Sequence, residues 1–191
     1  MNVFEKSLFI RAGSVLGHRL KPFSAFHSIC LNMFESPFLT GGEPNRGDIA
    51  TAILICTSDS STGLDKVLRF QNSRISRWVW TLRLYLSNPE KVISALSSHI
   101  SNYFDYPQVG VEIGPDKKTA IRKTGAPWQY FMVSVMWQQT GARLKDIWDM
   151  PLCELACHKA IHDEMNGLIE IADGLLEERE RNRKKNAHGQ D

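Results

Sequence analysis

Cys153, Cys157, His158 and His162 crowd one ten-residue stretch, with Glu154 among them. These residue types bind metals or act as nucleophiles and bases. On a helix, Cys153 and Cys157 share one face. His158 and His162 share another, rotated by about 100°. A single ion could take His158 and His162 with Glu154 one turn earlier, but a zinc site needs further ligands from a second element. His18, His27, His99 and His188 supply no ligand-like pair, and the run is not H-E-x-x-H. The spacing therefore reads as two buried cysteines beside two partly exposed histidines. His158 and His162 remain weak metal candidates, and no cofactor is expected.

Other catalytic patterns are missing from the sequence. There is no G-x-S-x-G elbow, no Walker A loop and no G-x-G-x-x-G after a strand. Thr40-Gly41-Gly42-Glu43 has two glycines without a lysine and reads as a turn. Asp163 and Glu164 are adjacent and point to different sides of a helix. A non-enzymatic role is the expectation.

The 191 residues carry 23 Lys/Arg against 21 Asp/Glu, a net charge of +2. Such balance argues against nucleic acid as the partner. Two local features point the other way. Arg69, Arg74, Arg77 and Arg83 flank Trp78 and Trp80, and Lys117, Lys118, Arg122 and Lys123 cluster downstream. A helical DNA-binding protein, like a phage terminase small subunit, is the alternative; a metal-binding helical protein ranks behind it. The four cysteines are scattered through apolar helical patterns, as reduced buried thiols are in a cytosolic protein. The first seventeen residues make a poor signal peptide, and no apolar stretch is long enough to cross a bilayer. A cytoplasmic protein with no membrane partner is expected.

The elements that position these residues are helical. Apolar residues recur at helical spacing over residues 22–35, with Pro22 in the first turn and Pro37 as the stop. Asp48 is a candidate N-cap for the apolar segment 49–56. Leu64, Val67, Leu68, Ile75, Trp78, Val79, Leu82 and Leu86 fit one long helix, weakened at Gln71-Asn72-Ser73-Arg74. Asn88-Pro89 restarts the chain as a helix reaching about Phe104. Residues 105–126, rich in Gly and Pro, read as a long loop with a small hairpin between residues 109–113 and 119–121. Helix resumes from Pro127 to Gln139, with Gly141 as its end. A last long helix runs from Leu152 through Leu168, Ile169, Ala172, Leu175 and Leu176. The expected fold is an all-α single domain (residues 1–176) of about six or seven helices, followed by a charged tail (177–191).

The junction Ile147-Trp148-Asp149-Met150-Pro151-Leu152 has a mechanical reading. Proline suits a helix's first turn, so Asp149, or else Met150, caps the last helix. Ile147 or Trp148 then staples onto Leu152 or Leu155.

Gly125-Ala126-Pro127-Trp128, the helix to Gly141 and the run Asp146 to Leu152 resemble the tail assembly chaperones of tailed bacteriophages. Leu20-Lys21-Pro22-Phe23-Ser24, Ser36 to Pro44 and Asp48-Ile49-Ala50 are similar to them as well. Together these segments cover about a third of the chain. The resemblance implies a binding protein in the host bacterial cytoplasm. Such a protein would coat the tape measure protein and recruit tail tube protein subunits; homo-oligomers are compatible with it. Exposed aromatic grooves would do this work. Candidate contact residues are Trp80, Trp128, Phe131, Trp137, Trp148 and Met150.

Overall fold

A computed structural model of the chain describes residues 13–104, 109–112, 126–167 and 169–171. The fold is helical, as expected. Among these residues seven helices have at least nine residues: α1 (Ala25–Met33), α3 (Arg46–Cys56), α4 (Gly63–Asn72), α5 (Arg74–Tyr85), α6 (Pro89–Ser101), α7 (Trp128–Thr140) and α9 (Leu152–Met165). Two short helices join them, α2 (Pro37–Thr40) and α8 (Leu144–Asp149). A hairpin of β1 (Ser14–Val15) and β2 (His18–Arg19) precedes α1. The expected domain boundary at residue 176 and the tail 177–191 lie outside the described residues.

Two central helices organise the core. Helix α1 buries Ala25 through Leu31 and packs against α3, α7 and α8. Helix α3 packs against α4, α5 and α6 as well. The chain thus forms two wings, α4–α6 on α3 and α7–α9 on α1. The first wing meets α1 closely: a Cβ on Gly63 would sit 2.5 Å from the Phe26 ring, so any side chain there must displace that buried ring.

Local capping explains where the elements depart from expectation. Helix α1 starts at Ala25, not near Pro22, because Ser24 caps it. The Ser24 hydroxyl accepts from the His27 backbone N–H, and the His27 ring accepts from the Ser24 N–H. Pro37 opens α2 after α1 has already ended. The cap of α3 is Asn45, whose side chain accepts from Gly47 and Asp48. Asp48 is instead the returning partner, accepting from the Asn45 N–H at 2.9 Å. The long helix expected over 64–86 breaks at Ser73. Its extended backbone closes α4, and its hydroxyl accepts from Ser76 to open α5. Asn88 and Pro89 start α6 as expected, and the helix stops at Ser101.

The largest correction is at the end of the chain. The last helix stops at Met165, and Gly167 follows with φ 66°. Ile169–Ile171 is then a strand, β4, paired antiparallel with β3 (Val109–Glu112). β-branched residues alternating with a polar one suit a strand as well as they suit a helix edge. Of the hairpin expected within 105–126, only Val109–Glu112 lies among the described residues, and there it pairs with a distant strand. The rest of that loop, with residues 119–121 and the cluster Lys117, Lys118, Arg122 and Lys123, lies outside the described residues, as do Leu168, Ala172, Leu175 and Leu176.

Candidate partner-binding surface

Helix α5 is amphipathic in an unusual sense, because its apolar row faces solvent. Leu84 is its one buried residue. At 100° per residue, Ile75, Trp78, Val79, Leu82 and Leu86 fall within a band centred opposite Leu84. All five are exposed, Ile75 and Leu86 at 77% and Trp78 at 64%. Tyr85 borders the band and is also exposed, as are Leu64 and Leu68 on the adjoining α4. A row at i, i+3, i+4, i+7 and i+11 is the spacing by which one helix takes another. Scattered exposed apolar residues are ordinary, whereas a contiguous row marks an interface.

The sequence reads these positions only as the periodic apolar residues of one long helix, and the structure turns Ile75, Trp78, Val79, Leu82 and Leu86 outward. The inward face needs little. Trp80 is half-buried against the core, its ring stacked on His18 at 5.4 Å between centroids. The Arg83 guanidinium lies 5.7 Å from the Trp80 ring centre and donates to the Leu16 carbonyl at 2.7 Å. Trp80 from behind, and Arg83 with the hairpin from one side, thus hold α5 in place. Helix α5 carries apolar residues on two opposite sides, which is more than one buried face uses. That excess was the sequence signal for the exposed row.

The other candidate contact residues divide into two groups. Trp148 and Met150 are half-buried and pack, like Trp80, against the core. Tyr130 meets Trp148 edge-on at 4.9 Å. Trp128, Phe131 and Trp137 lie on α7 and are exposed by 41–51%. Lys159 of α9 sits 5.7 Å from the Phe131 ring centre. This second surface is apolar but interrupted, and it shares no residue with the α5 row.

Asp149 and Pro151 do not cap α9 as expected. Asp149 ends α8, and its carboxylate accepts from the Ser60 N–H at 2.7 Å and the Ser60 hydroxyl at 3.0 Å. Pro151 occupies the N-cap position of α9, where it has no side chain to offer. The Leu152 N–H donates instead to the Phe23 carbonyl at 2.8 Å, beside a bridge between Ser24 and Pro151. Tertiary partners replace the local cap, so the junction ties the α7–α9 wing to the start of α1 and to the loop after α3.

A buried histidine completes that tie. The His27 Nδ1 accepts from the Ser24 N–H, so Nε2 carries the proton and donates to the Ser58 carbonyl at 2.8 Å. Burial pushes its pKa down to about 4. The ring is neutral and structural.

The cysteine–histidine run resolves as two different surfaces. Cys153 and Cys157 are buried. Burial raises the Cys153 thiol to about 11, which keeps it protonated at neutral pH. His158 stands out of the core with its Nε2 3.9 Å from Glu154, and His162 contacts Asn166. Among the described residues no group of three or more His, Cys, Asp and Glu is placed to hold a metal ion. No helix among them is long and apolar enough to cross a membrane. Compared with protein-family models, curated proteins and solved structures, the chain matches none.

Proposed function

We propose that this chain is a non-enzymatic binding protein that holds an apolar helical segment of a partner along α5. The exposed row Ile75, Trp78, Val79, Leu82 and Leu86 is the observation that carries this reading. An uncovered row of this length exposes apolar area to water, and that area becomes favourable once a partner covers it. The row is presented rigidly, because α5 is held from behind by Trp80 and from one side by Arg83 and the β1–β2 hairpin.

The resemblance of residues 20–24, 36–44, 48–50, 125–141 and 146–152 to tail assembly chaperones gives the reading its biological form. The partner is then the tape measure protein, whose long apolar helices need cover before assembly, and the chain also recruits tail tube subunits in the bacterial cytoplasm. The exposed aromatics of α7, Trp128, Phe131 and Trp137, offer the second surface that a two-partner role requires.

Co-expression tests the proposal. The wild-type chain should keep a tape measure protein soluble and co-purify with it. Leu82→Glu, placed in the middle of the row, should abolish both effects while leaving the far-ultraviolet circular dichroism of the chain unchanged. A complex that forms equally well with Leu82→Glu would rule out α5 as the site.

A further inference from the structure

We infer that the segment docking on α5 is an acidic amphipathic helix, one whose apolar row is flanked by Glu or Asp. This rests on the partner-binding reading above and specifies the partner's chemistry. The row from Ile75 to Leu86 spans about 17 Å of helix axis, three turns, which is the footprint of a single helical segment. The segment that carries it is strongly one-signed. Residues 63–86 contain Lys66, Arg69, Arg74, Arg77 and Arg83 against one acid, Asp65, although charges over the whole chain nearly balance. By the same helical geometry Arg74 and Arg83 lie on opposite flanks of the row. A further cation comes from α3, where the Arg46 guanidinium sits 5.2 Å from the centre of the Tyr85 ring. Arg83 is held by His18 and the Leu16 carbonyl, neither of which neutralises it.

This rim selects among occupants. A second copy of the chain would bring the same arginines to face their equivalents, and like charges across an interface disfavour pairing. An acidic helix instead places carboxylates opposite both flanks while covering the apolar row, and arginine is the side chain best shaped to receive them. Trp78, near the middle of the row, is the type of anchor that dominates such interfaces.

Two synthetic helical peptides with one shared apolar row test this, one carrying Glu at the flanking positions and the other Lys. Binding to the full chain is followed by fluorescence anisotropy. The Glu peptide should bind at least about tenfold more tightly, and the gap should shrink between about 0.05 M and 0.5 M salt. Arg74→Glu should narrow the gap as well. Ile75→Cys supplies a second readout, because the four native cysteines are buried and react slowly. The introduced thiol should label quickly with maleimide in the free chain and slowly with the Glu peptide bound.

Equal affinity for the two peptides would overturn the inference. So would binding to anionic vesicles that the Glu peptide cannot displace, since the site would then be a lipid surface. Slow labelling of the free chain would overturn it too: protection that grows with concentration would mean self-association, and protection independent of it would mean cover by the chain itself. If neither peptide binds while a tape measure protein still protects the thiol, the charge rule fails and the docking site stands. If Leu82→Glu leaves that capture intact, the docking site itself is wrong.

Discussion

Helices α3 and α5 are nearly equal in length, at 11 and 12 residues, and each contains seven apolar or aromatic residues. Their fates differ. α3 buries seven of its residues, among them Thr51, and is surrounded by α1, α4, α5 and α6. α5 buries Leu84 alone and leans on α3 and α4. Apolar periodicity tells that a helix has a face to cover, but it does not say what covers it. The charges carry that second message. α3 has one arginine at its first position and one aspartate tied up in its cap, whereas α5 has three arginines spread around the helix. A helix with that many cations cannot be enclosed, so apolar residues left over after one side is packed must meet solvent or a partner.

The sharpest way to break the contrast is to truncate the same kind of side chain in both helices. Ile53 is wholly buried in α3. Ile53→Ala should lower the unfolding free energy by about 2–5 kcal/mol, through lost transfer energy and the cavity left behind. Urea denaturation at neutral pH measures it. A loss below about 1 kcal/mol would show that the site relaxes freely and that α3 is not the rigid centre.

Acid should act on the same centre. His27 is neutral in the fold, with a pKa depressed by burial to about 4, whereas in the unfolded chain it titrates near 6.5. Its stability contribution is therefore intact above about pH 6.5 and declines as pH falls toward 4, by roughly 3 kcal/mol in total. Burial lowers the His99 pKa too, so it adds in the same direction. Urea midpoints taken between pH 7 and pH 4 should fall steeply in the wild type and less steeply in His27→Gln. Parallel profiles would mean that His27 does not control the acid transition.

The wing opposite α5 is held by the junction at Asp149. Asp149→Ala removes the acceptor of both Ser60 bonds and should lower stability by about 1–3 kcal/mol, since charge-assisted bonds are the stronger class. Asp149→Asn keeps one acceptor oxygen and should recover part of the loss. If Asp149→Ala is neutral by thermal unfolding, the junction is not what joins the two wings.

Local physics decides which of these features could be read from the sequence. The helices at 89–101 and 128–140 were legible because a cap, prolines and a terminal glycine punctuate them, whereas α3 was legible from its apolar run, before which Asp48 looks like the cap that Asn45 supplies. The break at Ser73 was half-legible, since serine both ends and starts helices. The β3–β4 pair was not, because nothing local in Ile169-Glu170-Ile171 names a partner about sixty residues earlier. Asp149 misled for a related reason. Before a proline an aspartate looks like a cap, and only the tertiary fold brings Ser60 to it. At the candidate surface, aromatic type guided the choice of Trp80 and Trp148, which serve as core walls. The exposed row was half-legible: core helices and docking helices share one period, and only the surplus of apolar residues and arginines on α5 marked it.

The smallest expected effect on stability is also the most discriminating. Trp78→Ala and Leu82→Ala remove large side chains, yet Trp78 is 64% and Leu82 43% exposed. Solvent already reaches them, so truncation forfeits little burial and leaves no enclosed cavity. Each variant should unfold within about 0.5 kcal/mol of wild type, while partner capture weakens at least about tenfold if the row is the docking site. Ile53→Ala should show the opposite pattern below its melting point, with stability reduced and capture retained. A Trp78→Ala chain that unfolds several kcal/mol more easily would place α5 in a covered interior and turn the row back into core. A chain of unchanged stability and unchanged capture would leave α5 exposed and move the partner to Trp128, Phe131 and Trp137 on α7. The two wings can be told apart by these two measurements because packing energy and docking energy reside on different residues.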